Sequence, residues 1–71
     1  MSSYLDGATV RRIRQARGLS QERIAMLVRV SIPTICRWEL GQTQPVVGNA
    51  IDLAAVLGVP LAELIATREL S

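Results

Sequence analysis

The stretch Ser20–Gly41, SQERIAMLVRVSIPTICRWELG, decides how this chain is read. Two short amphipathic segments stand on either side of a tight corner. Ser20 and Ser31 each precede one of them, where a serine hydroxyl can accept from the free N–H groups of a first helical turn. After Ser20, the apolar residues Ile24, Ala25, Leu27 and Val28 recur at helical spacing; after Ser31, Ile35 and Trp38 do so, with Val30 in the corner. Pro33 falls in the second segment's first turn, where a missing N–H costs no intrahelical bond. Helices of about nine residues are marginal alone. The remainder of the chain must therefore frame them.

Working outward, Asp6 can cap a helix over residues 7–17, with Val10, Ile13 and Ala16 facing inward and Gly18 following as a stop. Leu19 packs at the junction before the second helix, 20–28. The third helix covers 31–40, and Gln42 to Pro45 form a polar connector whose proline forbids continuing it. Ala50, Leu53, Ala54 and Leu57 mark a fourth helix over 46–57, closed by Gly58 but lacking a polar N-cap. Pro60 opens a short fifth helix, 60–66, with Leu61, Leu64 and Ile65 apolar. Met1 to Leu5 is expected to be a loose lead-in, with Tyr4 and Leu5 near the domain edge, and Thr67 to Ser71 a frayed end. No stretch has strand periodicity. The expected architecture is a single all-α domain, 1–71, of five short helices.

Composition narrows the function. The chain is 49% hydrophobic without a Phe and with one Trp and one Tyr, so its core is aliphatic. A lone Cys36 cannot form an internal disulfide and fits a reducing cytoplasm. With no His, no clustered carboxylates and no Gly-rich phosphate loop, nothing points to catalysis, a metal or another cofactor. No apolar run reaches the about eighteen residues of a membrane span, and no segment reads as a signal peptide. The net charge of +2 hides an asymmetry: residues 1–37 carry seven arginines against Asp6 and Glu22, whereas residues 38–71 carry Arg68 against four acids. That distribution suggests a polyanion-facing front and a different back.

Counted over twenty positions from Gln21, the residues Ile24, Ala25, Val28, Val30, Ile35 and Trp38 resemble the helix-turn-helix pattern. The physics explains it: small Ala25 lets two helices cross closely, and the other five fill the wedge between them. The flanks RQARGLSQERIA, TICRWELG, Pro45 and LAAVLGVPLAEL extend the resemblance to the lambda repressor-like family (Cro/CI or XRE type) over about residues 8–65. The resemblance implies a five-helix DNA-binding domain with the motif at helices 2 and 3. It places Gln21 on a DNA phosphate, where the helix end offers free N–H groups and positive dipole. It pairs Arg14 with Glu39 in a partly buried salt bridge that orients helices rather than adding large stability. It puts Ile32, Pro33, Thr34 and Arg37 at base edges, with Arg37 the strongest reader through its planar fork. Thr34 has its own helix turn as an alternative partner. Gln42, Thr43 and Gln44 lie where the connector follows the DNA backbone.

Two departures from the family stand out. Arg29 occupies a corner position that the family usually gives to Gly; its side chain can point outward, toward phosphate. The groove-facing residues Ile32, Pro33, Cys36 and Leu40 are unusually apolar, leaving few hydrogen-bond readers. The leading expectation is a cytoplasmic, sequence-specific regulator of transcription, a repressor by resemblance. It would bind double-stranded DNA as a homodimer, with no membrane or small-molecule partner. Val56, Leu61, Leu64 and Ile65 on the back are the expected dimer surface. The competing expectation keeps the fold but uses the apolar third-helix face to bind a protein, as an antitoxin or phage-type accessory protein would.

Overall fold

The computed structural model describes residues 2–68. Four α-helices form the body: α1 (Gly7–Ala16), α2 (Gln21–Val28), α3 (Ile32–Glu39) and α4 (Val47–Leu57). The caps act as the side chains dictate. Asp6 accepts from the N–H groups of Ala8 (3.2 Å) and Thr9 (3.4 Å), Ser20 from Arg23 (3.0 Å), and Ser31 from Thr34 (3.3 Å). The α4 helix starts from Val46 without a side-chain cap.

The expected fifth helix is corrected. Leu61–Leu64 forms one 3-10 turn, and the backbone turns extended at Ile65. Ile65–Arg68 is a strand, β2, antiparallel to β1 (Ser2–Leu5), with Ser2 opposite Arg68 and Leu5 opposite Ile65. The lead-in and part of the tail therefore close on each other as a two-stranded ribbon, and Thr67 and Arg68 are not frayed; residues 69–71 lie outside the described residues. Partner strands gain ladder bonds that a single further turn of helix after Pro60 does not match. The Asp6 N–H, bonded to the Leu64 carbonyl at 2.7 Å, joins the ribbon to the start of α1.

The core is aliphatic with one aromatic ring. Ile24, Leu53, Leu57 and Leu64 are fully buried, Val10 and Ile35 nearly so, and Leu5, Ile13, Ala25, Val28, Trp38 and Ala54 complete the cluster. Ala25 and Val28 face this core from α2 while α3 contributes Ile35 and Trp38, so the two helices wedge together as the spacing demands. Gly7 permits an equally close approach elsewhere. A Cβ on it would overlap the carbonyl oxygens of Trp38 and Glu39, so only glycine lets the start of α1 sit against the end of α3. Among the described residues no helix is long and apolar enough to cross a membrane.

Candidate nucleic-acid interface

The corner between α2 and α3 is built on a left-handed residue. Arg29 has φ 66° and ψ 46°, and the N–H groups of Arg29 and Val30 both reach the Ala25 carbonyl, ending α2. Glycine adopts this conformation without a steric cost; an arginine carries one of about 1–2 kcal/mol. The chain reverses here within three residues, which presents the outer face of α3. Ile32, Pro33 and Arg37 are exposed on it, and Cys36 is half-buried. Thr34 is half-buried, its hydroxyl 2.7 Å from that of Ser31. The local partner within its own turn is thus already engaged.

Behind that face runs a buried polar network. The Arg14 guanidinium donates to Glu39 through Nε (2.7 Å to Oε2) and Nη2 (3.1 Å to Oε1), and through Nη1 to the Leu19 carbonyl (2.8 Å). Gln21 Nε2 donates to Glu39 Oε1 at 3.0 Å. Three elements are thereby fixed together: α1, the start of α2 and the end of α3. The ion-paired side chains are 11% and 2% exposed, so the pair sits where a bidentate fork keeps both charges satisfied. An amide nitrogen carries two hydrogens. Gln21 spends one on Glu39, which holds the amide in place, and retains the other. Gln21, Arg14, Glu39, Cys36, Leu40 and Arg11 line one open cleft of about 310 Å³.

The connector departs from the expected backbone-following role at one residue. Gln42 and Thr43 are exposed. The Gln44 amide, however, is occupied: its Oε1 accepts from the Leu5 N–H (2.7 Å) and its Nε2 donates to the Leu5 carbonyl (3.3 Å). Gln44 thus closes the outer edge of β1 as a third strand would, and a phosphate contact would require breaking both bonds. Nothing near Gln44 in the sequence signals this, because its partner is thirty-nine positions away. The expected dimer set is also corrected at one position. Leu64 is completely buried in the core and offers no surface, whereas Val56, Leu61 and Ile65 are half-buried against it. The exposed apolar side chains at the start of α4 are instead its N-cap residue Val46 (69%) with Val47 (72%) and Ile51 (51%).

The arginines of the front half divide. Arg12 and Arg17 share a cleft with Val59 and Glu63 on the opposite flank of α1, and Arg17 lies over Gly58 at the end of α4. There its charge complements the negative end of a helix. All of the seven except Arg14 are exposed, so position divides them: Arg11 lies in the cleft beside α3, Arg29 at the corner and Arg37 on the outer face of α3. The polyanion-facing surface is therefore smaller than the tally of arginines suggests.

A helix-turn-helix family model matches residues 10–64, most of the chain. The chain belongs to the lambda repressor-like helix-turn-helix family. It is similar to the restriction-modification controller protein C.AhdI from Aeromonas hydrophila, with 34% identity, 82% of this chain and 88% of that one covered, and a TM-score of 0.78. It is also similar to the P22 c2 repressor solved in complex with a synthetic operator, at 28% identity, with coverage of 84% and 91% and a TM-score of 0.80. A transcriptional regulator from Listeria innocua matches at 26% identity over 92% of this chain and 62% of its own, with a TM-score of 0.78. No curated protein matches the chain in sequence. Members of this family are DNA-binding regulators of transcription rather than enzymes.

Proposed function

We propose that this DNA-binding transcriptional regulator acts in the cytoplasm as a homodimeric repressor, inserting α3 into the major groove of double-stranded DNA. The observation that carries the reading is the outer face of α3, held proud of the body by the Arg29 corner and fixed from behind by the Arg14–Glu39–Gln21 network. A helix about 10–12 Å across matches a groove about 12 Å wide. Arg37 is the fork that pairs with guanine O6 and N7, and Ile32 is suited to a thymine methyl. Pro33 approaches the same base edges without donating. Gln21 offers its remaining N–H to a phosphate beside the start of α2, and Arg29, Gln42 and Thr43 follow the backbone. Thr34 shares its hydroxyl with Ser31 and keeps one further hydrogen-bonding site for a base edge.

A domain of this size covers about half of a two-fold operator, which favours a pair of copies. Val56, Leu61 and Ile65 offer surface to the second copy, with Val46, Val47 and Ile51 extending apolar area along α4. The test selects bound duplexes from a random pool and follows affinity against salt, with the mass of the complex measured in parallel. A steep linear fall of log affinity with log salt and a palindromic selected site support the reading; salt-independent binding or no enrichment refutes it. The second reading, an apolar protein-binding face on α3, draws on the exposure of Ile32 (45%) and Leu40 (60%). It predicts no duplex enrichment and a partner whose binding is insensitive to salt.

A further inference from the structure

We infer that Arg11 is a backbone-phosphate anchor, gripping the wall of the groove on the side of α3 that carries Cys36 and Leu40; this rests on the DNA-binding reading above. Arg11 is exposed and lines the cleft of about 310 Å³ with Arg14, Gln21, Cys36, Glu39 and Leu40. Charge decides what the cleft attracts. Arg14 and Glu39 neutralise each other in their bidentate pair, and Gln21 is uncharged. The net charge of the cleft is thus that of Arg11, which has no ion-pair partner among the described residues. The next arginines on α1 do not share this position, since Arg12 and Arg17 face Glu63 on the far flank.

Geometry decides which part of DNA it meets. A helix about 10–12 Å across fills a major groove about 12 Å wide. An element packed against the side of that helix therefore meets the sugar–phosphate wall and not the base edges. Arg11 belongs to α1, beside the Cys36–Leu40 flank of α3, so its guanidinium faces a phosphodiester rather than a base. One N–H of Gln21 remains free on the same cleft, and the two donors converge on one strand of the backbone.

The experiment measures duplex affinity across a salt series for the full chain and three variants, Arg11→Ala, Arg11→Lys and Arg12→Ala. Each is titrated against a duplex selected from a random pool and against a scrambled duplex. Releasing one fewer counterion flattens the slope of log affinity against log salt by about 0.9, which is about a fivefold loss at 0.15 M salt. Arg11→Ala is expected to show that loss equally on both duplexes, Arg11→Lys to retain the slope, and Arg12→Ala to match the parent. An unchanged slope in Arg11→Ala, with the parent still binding, overturns the inference. An equal change in Arg12→Ala also overturns it, by reducing the effect to bulk charge. A parent chain that shows no salt-dependent duplex binding refutes the DNA-binding reading itself, and the anchor with it.

Discussion

Helix α3 is held from one side by α1 and helix α2 is held from the other by α4, and the two junctions are made in opposite ways. Between α1 and α3 lie an absent side chain at Gly7 and a buried polar network through Arg14, Glu39 and Gln21. Between α2 and α4 lie aliphatic side chains, Ile24 and Val28 with Leu53, Ala54 and Leu57. Aliphatic packing is non-directional and asks mainly for volume, whereas bonds and backbone contacts fix distance and angle. The directional junction is the one behind α3, the helix proposed to enter the groove. Orientation is what that helix needs, and the aliphatic junction supplies the stability that such a network does not.

Breaking the polar junction at its centre has the largest expected effect. Glu39→Ala leaves the Arg14 guanidinium buried without a counter-charge and releases Gln21. A loss of about 3–5 kcal/mol is expected, most of the stability of a domain this small, measured by urea denaturation. Replacing both partners together, Arg14→Met with Glu39→Leu, should recover much of the loss while still weakening duplex binding, because Gln21 loses its tether. Full recovery of DNA affinity in the double variant would show that the network does not orient the interface.

Gly7→Ala attacks the same junction sterically. Its Cβ would overlap two backbone oxygens, which cannot rotate away as a side chain does. The start of α1 must lift from the end of α3, at a cost of about 3 kcal/mol. Thermal unfolding reads this directly, and a midpoint within a degree or two of the parent would mean that the helices separate freely. On the aliphatic side, Leu53→Met keeps volume at a fully buried position and should cost less than about 1.5 kcal/mol. A larger loss there would erase the contrast between the junctions.

How much of this was legible differs between the same two regions. The aliphatic side is periodic, so Leu53, Ala54 and Leu57 declare their face within one turn of each other, and Asp6, Ser20 and Ser31 mark helix starts through bonds made two or three residues away. The polar junction was readable only by resemblance, which pairs Arg14 with Glu39; no local pattern links them. Gly7 carried no signal, because the carbonyls that exclude a side chain are supplied by α3. The ribbon was missed for two reasons. Its strands are four residues long, too short to show alternation, and its pairs join opposite ends of the chain, such as Leu5 with Ile65. The base-edge candidates on α3 come from the family resemblance, but the engagement of Gln44 comes from neither resemblance nor periodicity, since both of its bonds go to that same unanticipated strand. Gln44→Ala should therefore cost about 1–2 kcal/mol by leaving the Leu5 amide and carbonyl unpaired. Increased amide exchange at Leu5 would accompany that loss, and unchanged exchange would mean that the Gln44 clamp is not what protects that amide.

The smallest expected effect bears on the corner that joins the two junctions. At φ 66° Arg29 occupies a conformation that Gly18, Gly41 and Gly58 adopt at the other helix ends, and it alone among these four has a Cβ there. Arg29→Gly removes a steric cost of about 1–2 kcal/mol and adds unfolded-state freedom that returns about 0.4–1 kcal/mol of it. The net expectation is stabilisation of between about 0 and 1.6 kcal/mol, centred below 1, seen as a higher denaturation midpoint. Retaining arginine at that cost makes sense if the side chain works, so the same variant should lose duplex affinity, about fivefold at 0.15 M salt for one lost phosphate contact. Stability and affinity moving in opposite directions would place Arg29 on the backbone. A variant that is more stable and binds equally well would leave the arginine without a task at the interface, and would return the directional work to the Arg14–Glu39–Gln21 network alone.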